Sequence, residues 1–411
     1  MKQGWEIKKL EEVCDFKSGT TIARKLEKNE GEIIYAKVGD MNLPGNEDFI
    51  TVSSRYVNLN EINANQIIPN GSIIFPKRGG AIATNKKRRI KKPTIVDLNT
   101  MALVPSKIID KDYLYFWFQQ IDLSKLSNGT SIPQINNYSF ENVYISFPNS
   151  LTEQQRIVAL LDEAFAAIAK AKANTEQNLK NAKELFENYL QSVFERKGDS
   201  LEVKQLNDVI KKTETVDPTK DPDKSFKYID VSSVDNKKFE IISTSLVKGK
   251  DAPSRARKLI KTNDIIFATV RPTLKRVVII TKDYNDQVCS TGYFVLRAKD
   301  FIDHRLIFYF LLTKKFIDQM DKLQKGASYP AVTDGDVKSQ LIPFPKSFTE
   351  QKAIVIKLDA LSEETKKLEA IYHQKLNDLE ELKKSILQKA FAGELRVGDL
   401  VDPNTGTIKT L

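Results

Sequence analysis

"SIPQINNYSFENVYISFPNSLTEQQ", residues 131–155, and "SYPAVTDGDVKSQLIPFPKSFTEQK", residues 328–352, say nearly the same thing twice. Aligned without a gap from Gly129 and Gly326, the two stretches keep a constant offset of 197 residues. Ten of 26 positions are identical: Gly129, Ser131, Pro133, Ile145, Phe147, Pro148, Ser150, Thr152, Glu153 and Gln154 meet Gly326, Ser328, Pro330, Ile342, Phe344, Pro345, Ser347, Thr349, Glu350 and Gln351. A period this long marks a duplicated structural unit.

The repeat spreads outward in order. "WEIKKLEEV" from Trp5 is echoed by "LEVKQLNDV" from Leu201, "YAKVGDM" from Tyr35 by "YIDVSSV" from Tyr228, "GSIIFPKRGG" from Gly71 by "NDIIFATVRP" from Asn263, and "YLYFWFQ" from Tyr113 by "RLIFYFL" from Arg305. Each half opens with short β-branched runs bounded by turn residues, the pattern of strands. A late aromatic helix follows, carrying Leu114, Phe116, Trp117 and Phe118 or Leu306, Phe308, Tyr309 and Phe310. The globular units therefore read as mixed α/β (α+β).

After each unit a long helix is expected. Ser150 with Glu153, and Ser347 with Glu350, have capping-box spacing, in which hydroxyl and carboxylate satisfy orphan backbone N–H groups; Pro148 and Pro345 sit just upstream, where they interrupt nothing. Apolar positions then step by four and three: Ile157, Leu161, Ala164, Ile168, Ala171, Thr175, then Ala182, Leu185, Tyr189; and Ile354, Leu358, Leu361, Thr365, Leu368, Tyr372, then Leu379, Leu382, Ile386. This is a heptad seam with charged flanks. Two seams of equal length most simply bury each other. The expected architecture is two globular units joined by two long antiparallel coiled-coil helices about a pseudo-twofold, each helix roughly 60 Å long at 1.5 Å per residue. The expected spans are 1–150 (first unit), 151–197 (first helix), 198–347 (second unit), 348–394 (second helix) and 395–411 (tail).

With 411 residues, 41% hydrophobic and 29% charged, the composition is that of a folded globular chain. It has no apolar run of membrane-spanning length and no signal-peptide pattern at its start. The cysteines, Cys14 and Cys289, lie far apart and point to a reducing cytosol. The net charge of +10 favours polyanionic partners, chiefly nucleic acid.

Catalytic groups are scarce. Two histidines, His304 and His373, lack the setting of a nucleophile–base pair. No Cys/His cluster has zinc spacing, and neither phosphate-loop glycine motif is present. No catalytic residue, metal site or cofactor is assigned to this chain. Basic clusters are the positive signal: Lys77 and Arg78 before two glycines; Lys86, Lys87, Arg88 and Arg89, followed by Lys91 and Lys92; and, in the second unit, Arg255, Arg257, Lys258, Arg271, Lys275 and Arg276. Lys and Arg neutralise phosphates, and Arg also reads guanine edges bidentately. Asn85, Thr84, Thr273 and Ser254 between them could add base contacts. A repeated scaffold with two divergent basic heads is what two different half-site readers need. Half-sites on one face of B-DNA recur every ~34 Å, and the helices would act as a ruler. The competing reading is a coiled-coil adaptor with generic nucleic-acid affinity.

This pattern resembles the specificity subunit of type I restriction–modification systems. The resemblance rests on "GTSIPQINNYSFENVYISFPNSLTEQQRIVALLDE" from Gly129, "GASYPAVTDGDVKSQLIPFPKSFTEQKAIVIKLDA" from Gly326, "LKKSILQKAFAGEL" from Leu382, and the two unit openings. It implies two target recognition domains, each reading one half of a bipartite asymmetric double-stranded DNA site, with the helices setting the spacer and docking two modification subunits. It also implies that catalysis lies elsewhere: S-adenosylmethionine-dependent adenine methylation on the modification subunits, and ATP- and Mg-dependent translocation and cleavage on restriction subunits. A bacterial or archaeal cytoplasmic, nucleoid-associated location follows from it. The tail "RVGDLVDPNTGTIKTL" from Arg396 departs from the repeat.

Overall fold

The computed structural model describes residues 3–129, 131–196, 198 and 200–395; the tail expected beyond Leu395 lies outside them. The chain divides into two compact units, one of residues 1–175 with 374 onward, the other of residues 176–373. Compactness thus cuts inside both long helices rather than at their ends.

In the first unit, β1 (Trp5–Lys9) pairs antiparallel with Tyr144–Pro148. A five-stranded sheet runs in the order β2 (Cys14–Ser18), Thr100–Pro105, β3 (Ile73–Pro76), β4 (Arg88–Ile90), Phe49–Ile50. The aromatic helix α1 (Lys111–Gln119) is buried at every position from Tyr113 to Phe118. It is buried all round because it is a middle layer. Phe118 meets Phe75 of β3 at 5.2 Å, whereas Phe116 meets Phe165 of α2 (Leu151–Glu195) at 5.5 Å and Tyr113 meets Phe391 at 5.1 Å.

The second unit repeats this plan. Leu201–Gln205 pairs with Leu341–Pro345. A four-stranded sheet has the order Ile210–Lys211, Tyr293–Ala298, β5 (Ile265–Ala268), β6 (Val277–Ile279). Helices α3 (His304–Leu312) and α4 (Lys314–Leu323) cover it. Phe267 meets Phe316 at 5.4 Å, and Phe310 meets Phe194 of α2 at 5.6 Å. Arg305 and Tyr309 of α3 reach Asp359 of α5 (Phe348–Phe391) at 2.9 and 2.7 Å.

The repeated Thr-Glu-Gln has a concrete purpose. In the first unit the fully buried Gln154 accepts a hydrogen bond from Asp110 N–H at 2.6 Å and donates to the carbonyls of Ile108 and Pro148 at 3.1 and 2.8 Å. In the second, Gln351 accepts from Asp303 N–H at 2.8 Å and donates to Phe301 and Pro345 at 3.0 and 2.8 Å. Asp110 and Asp303 are in turn the N-caps of α1 and α3. One glutamine thus ties the long helix, the strand before it and the start of the aromatic helix together, and only an amide has the acceptor and two donors required. The capping role read for Ser347 survives as a weak bond from Glu350 N–H at 3.4 Å, while Glu153 forms an ion pair with Arg156 at 2.8 Å.

Within each unit the long helices run antiparallel. Phe165 faces Lys383 and Lys172 pairs with Glu380 in the first; Lys183 pairs with Glu369 and Tyr189 faces Lys357 in the second. The seam residues Ile157, Leu161, Ile168, Ile354, Leu358 and Leu379 are buried, and Leu361, Leu368 and Leu382 are half-buried. They serve two partners: Ile157, Leu161, Ala164 and Ile168 join one core with α1 and Leu379, Ile386 and Phe391. Leu185 corrects the expected seam, being 65% exposed. After Thr175 the buried stripe passes through Leu179, Ala182, Phe186 and Leu190. The stripe is still on the expected heptad at Ala182, and the two consecutive steps of four that follow, to Phe186 and to Leu190, turn it out of the heptad as a stutter does.

Candidate nucleic-acid interface

The two basic loops occupy the same place in their sheets. In the first unit the chain leaves β3, passes Lys77 and Arg78, makes a 3-10 turn over Gly79–Thr84 and re-enters at β4. In the second it leaves β5, turns over Pro272–Leu274 and re-enters at β6. Both turns end on a left-handed residue, Asn85 at φ 52° and Lys275 at φ 53°.

Each turn is held by the start of the repeated stretch. Gly79 N–H donates to Pro133 O at 2.8 Å and Ile135 N–H to Lys77 O at 2.9 Å. Arg271 N–H donates to Pro330 O at 2.7 Å and Val332 N–H to Thr269 O at 3.0 Å. These bonds make Gly79 and Arg271 equivalent: in both units the stretch around the repeated proline is tied to the strand end through its backbone.

Much of the basic run 86–89 folds inward. Lys87 is 1% exposed; its ammonium donates to Ile121 O at 2.6 Å and Asn85 Oδ1 at 2.9 Å and lies 5.2 Å from the Phe118 ring. Burial pulls its pKa down to about 8, against a smaller upward pull from Asp122. Arg89 is buried on β4, bonded to Asp112 at 2.7 Å and to Asp48, and stacked 4.1 Å from Phe49 and 4.4 Å from Tyr115. Burial works against its charge, but the two carboxylate hydrogen bonds outweigh it and raise the pKa. Lys87 and Arg89 therefore leave the set of DNA-contact candidates, because both are buried and their charges are taken up by hydrogen bonds and ion pairs inside the unit. Arg88 is half-buried and donates to the carbonyls of Lys87 and Met41, and Lys86 bonds Asn42. Lys77 is half-buried on Ser18 Oγ at 3.0 Å, its pKa lowered by burial and by neighbouring Arg78. Arg78, Lys91 and Lys92 are exposed.

In the second unit, Lys258 pairs with Asp334 at 2.9 Å, Arg257 donates to Ala256 O at 2.8 Å, and Arg276 donates to Val231 O at 2.7 Å. Lys275 is half-buried. Arg255 and Arg271 are exposed, as are Thr273 and Ser254 beside them. Arg271 lies 5.3 Å from the Tyr329 ring and donates to Ser328 O at 3.4 Å. Tyr329 is 73% exposed, and Ile132, its counterpart in the first unit, 63%. Neither lies in a basic cluster, although both carry a signal in the sequence: each differs between the two copies while framed by the identical Ser and Pro of the repeat.

The buried thiols have raised pKa values, that of Cys289 pushed up to about 12 by burial, and Cys14 Sγ donates to Leu10 O at 3.2 Å. Burial lowers the pKa of His304, which opens α3, and His373 is exposed on α5. Among the described residues no helix is long and apolar enough to cross a membrane.

Comparison with known proteins gives a consistent picture. The MjaVIII type I restriction enzyme specificity subunit of Methanocaldococcus jannaschii is 25% identical over 421 residues, covering 97% of this chain and 94% of that protein. The EcoDI specificity subunit of Escherichia coli is 30% identical over 146 residues, 36% of this chain and 32% of the relative. In fold, the chain resembles one solved in work on complex assembly and conformational transition of the type I R-M system, with a TM-score of 0.75 at 17% identity over 96% of this chain and 99% of that one. It also resembles the HsdS subunit of Thermoanaerobacter tengcongensis, with a TM-score of 0.60 at 17% identity over 96% and 98%. The family model of the type I restriction modification DNA specificity domain matches residues 2–181 and again 199–381. The chain therefore belongs to the family of type I restriction–modification specificity proteins and carries their DNA specificity domain twice.

Proposed function

We propose that this chain is the DNA sequence-recognition subunit of a type I restriction–modification complex, and that each unit reads one half of a bipartite, asymmetric duplex site. The observation that carries the reading is the family match falling on both halves of the chain, 2–181 and 199–381. The geometry supports it: each unit presents an exposed arginine loop, at Arg78 or Arg271, on a common scaffold with different surroundings. Same scaffold and different tips suit two readers of different sequence.

It is a specificity subunit, so the chemistry belongs to its partners. Two modification subunits dock on the helical regions and methylate adenine with S-adenosylmethionine, and restriction subunits add ATP- and Mg-dependent cleavage. The helices running from one unit into the other carry the spacer.

The test is selection from a random duplex library by this chain reconstituted with its modification subunit. Two conserved blocks around an unspecified gap are expected. Recovery of unselected DNA at equal affinity would instead fit an adaptor with generic nucleic-acid affinity.

A further inference from the structure

Gly79 and Arg271 occupy one structural position, since their N–H groups bond the equivalent carbonyls of Pro133 and Pro330. Both sit in the left-handed region, at φ 73° and φ 50°. Glycine adopts that conformation without a steric penalty, whereas a side chain is strained there. Arg271 also precedes Pro272, which favours extended backbone at the residue before it. The fold thus has a cheaper solution at this position, uses it in the first unit, and carries an arginine in the second. Strain retained at an exposed residue is a mark of function.

The side chain is also oriented. Its guanidinium lies over the exposed Tyr329 ring and donates to Ser328 O. A cation–π contact and one hydrogen bond restrain the guanidinium while leaving most of its five N–H donors unused by them. A planar fork held in this way matches the O6 and N7 acceptors of guanine in the major groove.

Building on the DNA-recognition reading above, we propose that Arg271 is a base-reading residue of the second unit, that it contacts a guanine in the half-site read by that unit, and that Tyr329 is its positioning residue. The first unit has glycine and Ile132 at these two places, so it reads its half-site by different contacts.

The test uses the whole chain co-expressed with its modification subunit in a host without DNA methylation, with methylated adenines mapped by long-read sequencing. Arg271→Gly is the decisive variant because it relieves the strain. Its thermal stability should equal or exceed that of the parent, while discrimination at one guanine of one half-site falls at least tenfold and the other half-site is unchanged. Tyr329→Ala should weaken discrimination at the same guanine, and Tyr329→Phe, which keeps the ring, should preserve it. A parental bipartite motif that Arg271→Gly leaves unaltered would overturn this inference alone. So would a uniform loss at every position, which marks a phosphate contact. A parental chain that directs no bipartite motif would overturn the underlying reading as well.

Discussion

Gln351 Oε1 accepts a hydrogen bond from the backbone N–H of Asp303 at 2.8 Å, and Gln154 does the same for Asp110 at 2.6 Å. In both units this bond links the long helix to the N-cap of the aromatic helix. Gln351→Met keeps the volume but leaves one N–H and two carbonyls without their partner. At ~1–3 kcal/mol for each orphaned group, a loss of about 3 kcal/mol or more is expected, seen as a fall in Tm of roughly 6–12 °C for a unit of this size. Calorimetry of the variant checks it.

Arg89 is structural. Its removal leaves Asp112 and Asp48 facing a void beside Phe49 and Tyr115. Arg89→Ala should cost about 3–5 kcal/mol in urea unfolding, the usual cost of breaking a buried ion pair. Lys91→Ala and Lys92→Ala, at exposed positions, should stay within about 0.5 kcal/mol.

Lys87 gives a pH signature. Its pKa is about 8 when folded against an ordinary 10.5. Below pH 8 both states are protonated and the folded state bears the full cost of burying the charge. Between pH 8 and 10.5 the unfolded chain binds the extra proton, so raising the pH favours the folded state. The stability difference between the parent and Lys87→Met should therefore widen in the parent's favour across that window. A flat difference would show that the lysine is not desolvated.

The seam slip is testable by a pair of neighbours. Phe186→Ala should destabilise by about 2 kcal/mol, less than a fully buried phenylalanine because Phe186 is half-buried. Leu185→Gln should change stability by less than about 0.5 kcal/mol. Thermal melts of the two variants decide the register.

Arg78 and Arg271 should act on different halves of the site. Arg78→Ala is expected to weaken binding at one half-site only and Arg271→Ala at the other, measured on duplexes altered one half at a time. Equal losses on all sequences, with a salt slope smaller by about one, would make either residue a phosphate contact.

The large-scale plan was legible because duplication writes itself into sequence at positions where geometry tolerates little change. The glutamine needs its exact hydrogen-bonding set, and the apolar stripe has the period of a helix. On α2 the heptad reading fails at Leu185: Ala182 is buried as that reading expects, but the stripe then steps four to Phe186 where a strict heptad steps three, and a leucine beside a phenylalanine does not show which of the two is buried. The basic run 86–92 was harder still. Charge density along a chain does not reveal which cations a strand turns inward, and the acids that claim Arg89, Asp48 and Asp112, lie 41 and 23 residues away. Tyr329 was visible as a variable position in a constant frame, but its pairing with Arg271 depends on two loops meeting across 57 residues or more of chain.

The most direct test of the central claim is the methylome of a methylation-free host expressing this chain with its modification subunit. Two units reading separate half-sites predict one asymmetric motif, two short specified blocks separated by a gap of fixed length. A continuous motif, or adenine methylation with no sequence preference from a complex in which the chain is bound, would contradict it.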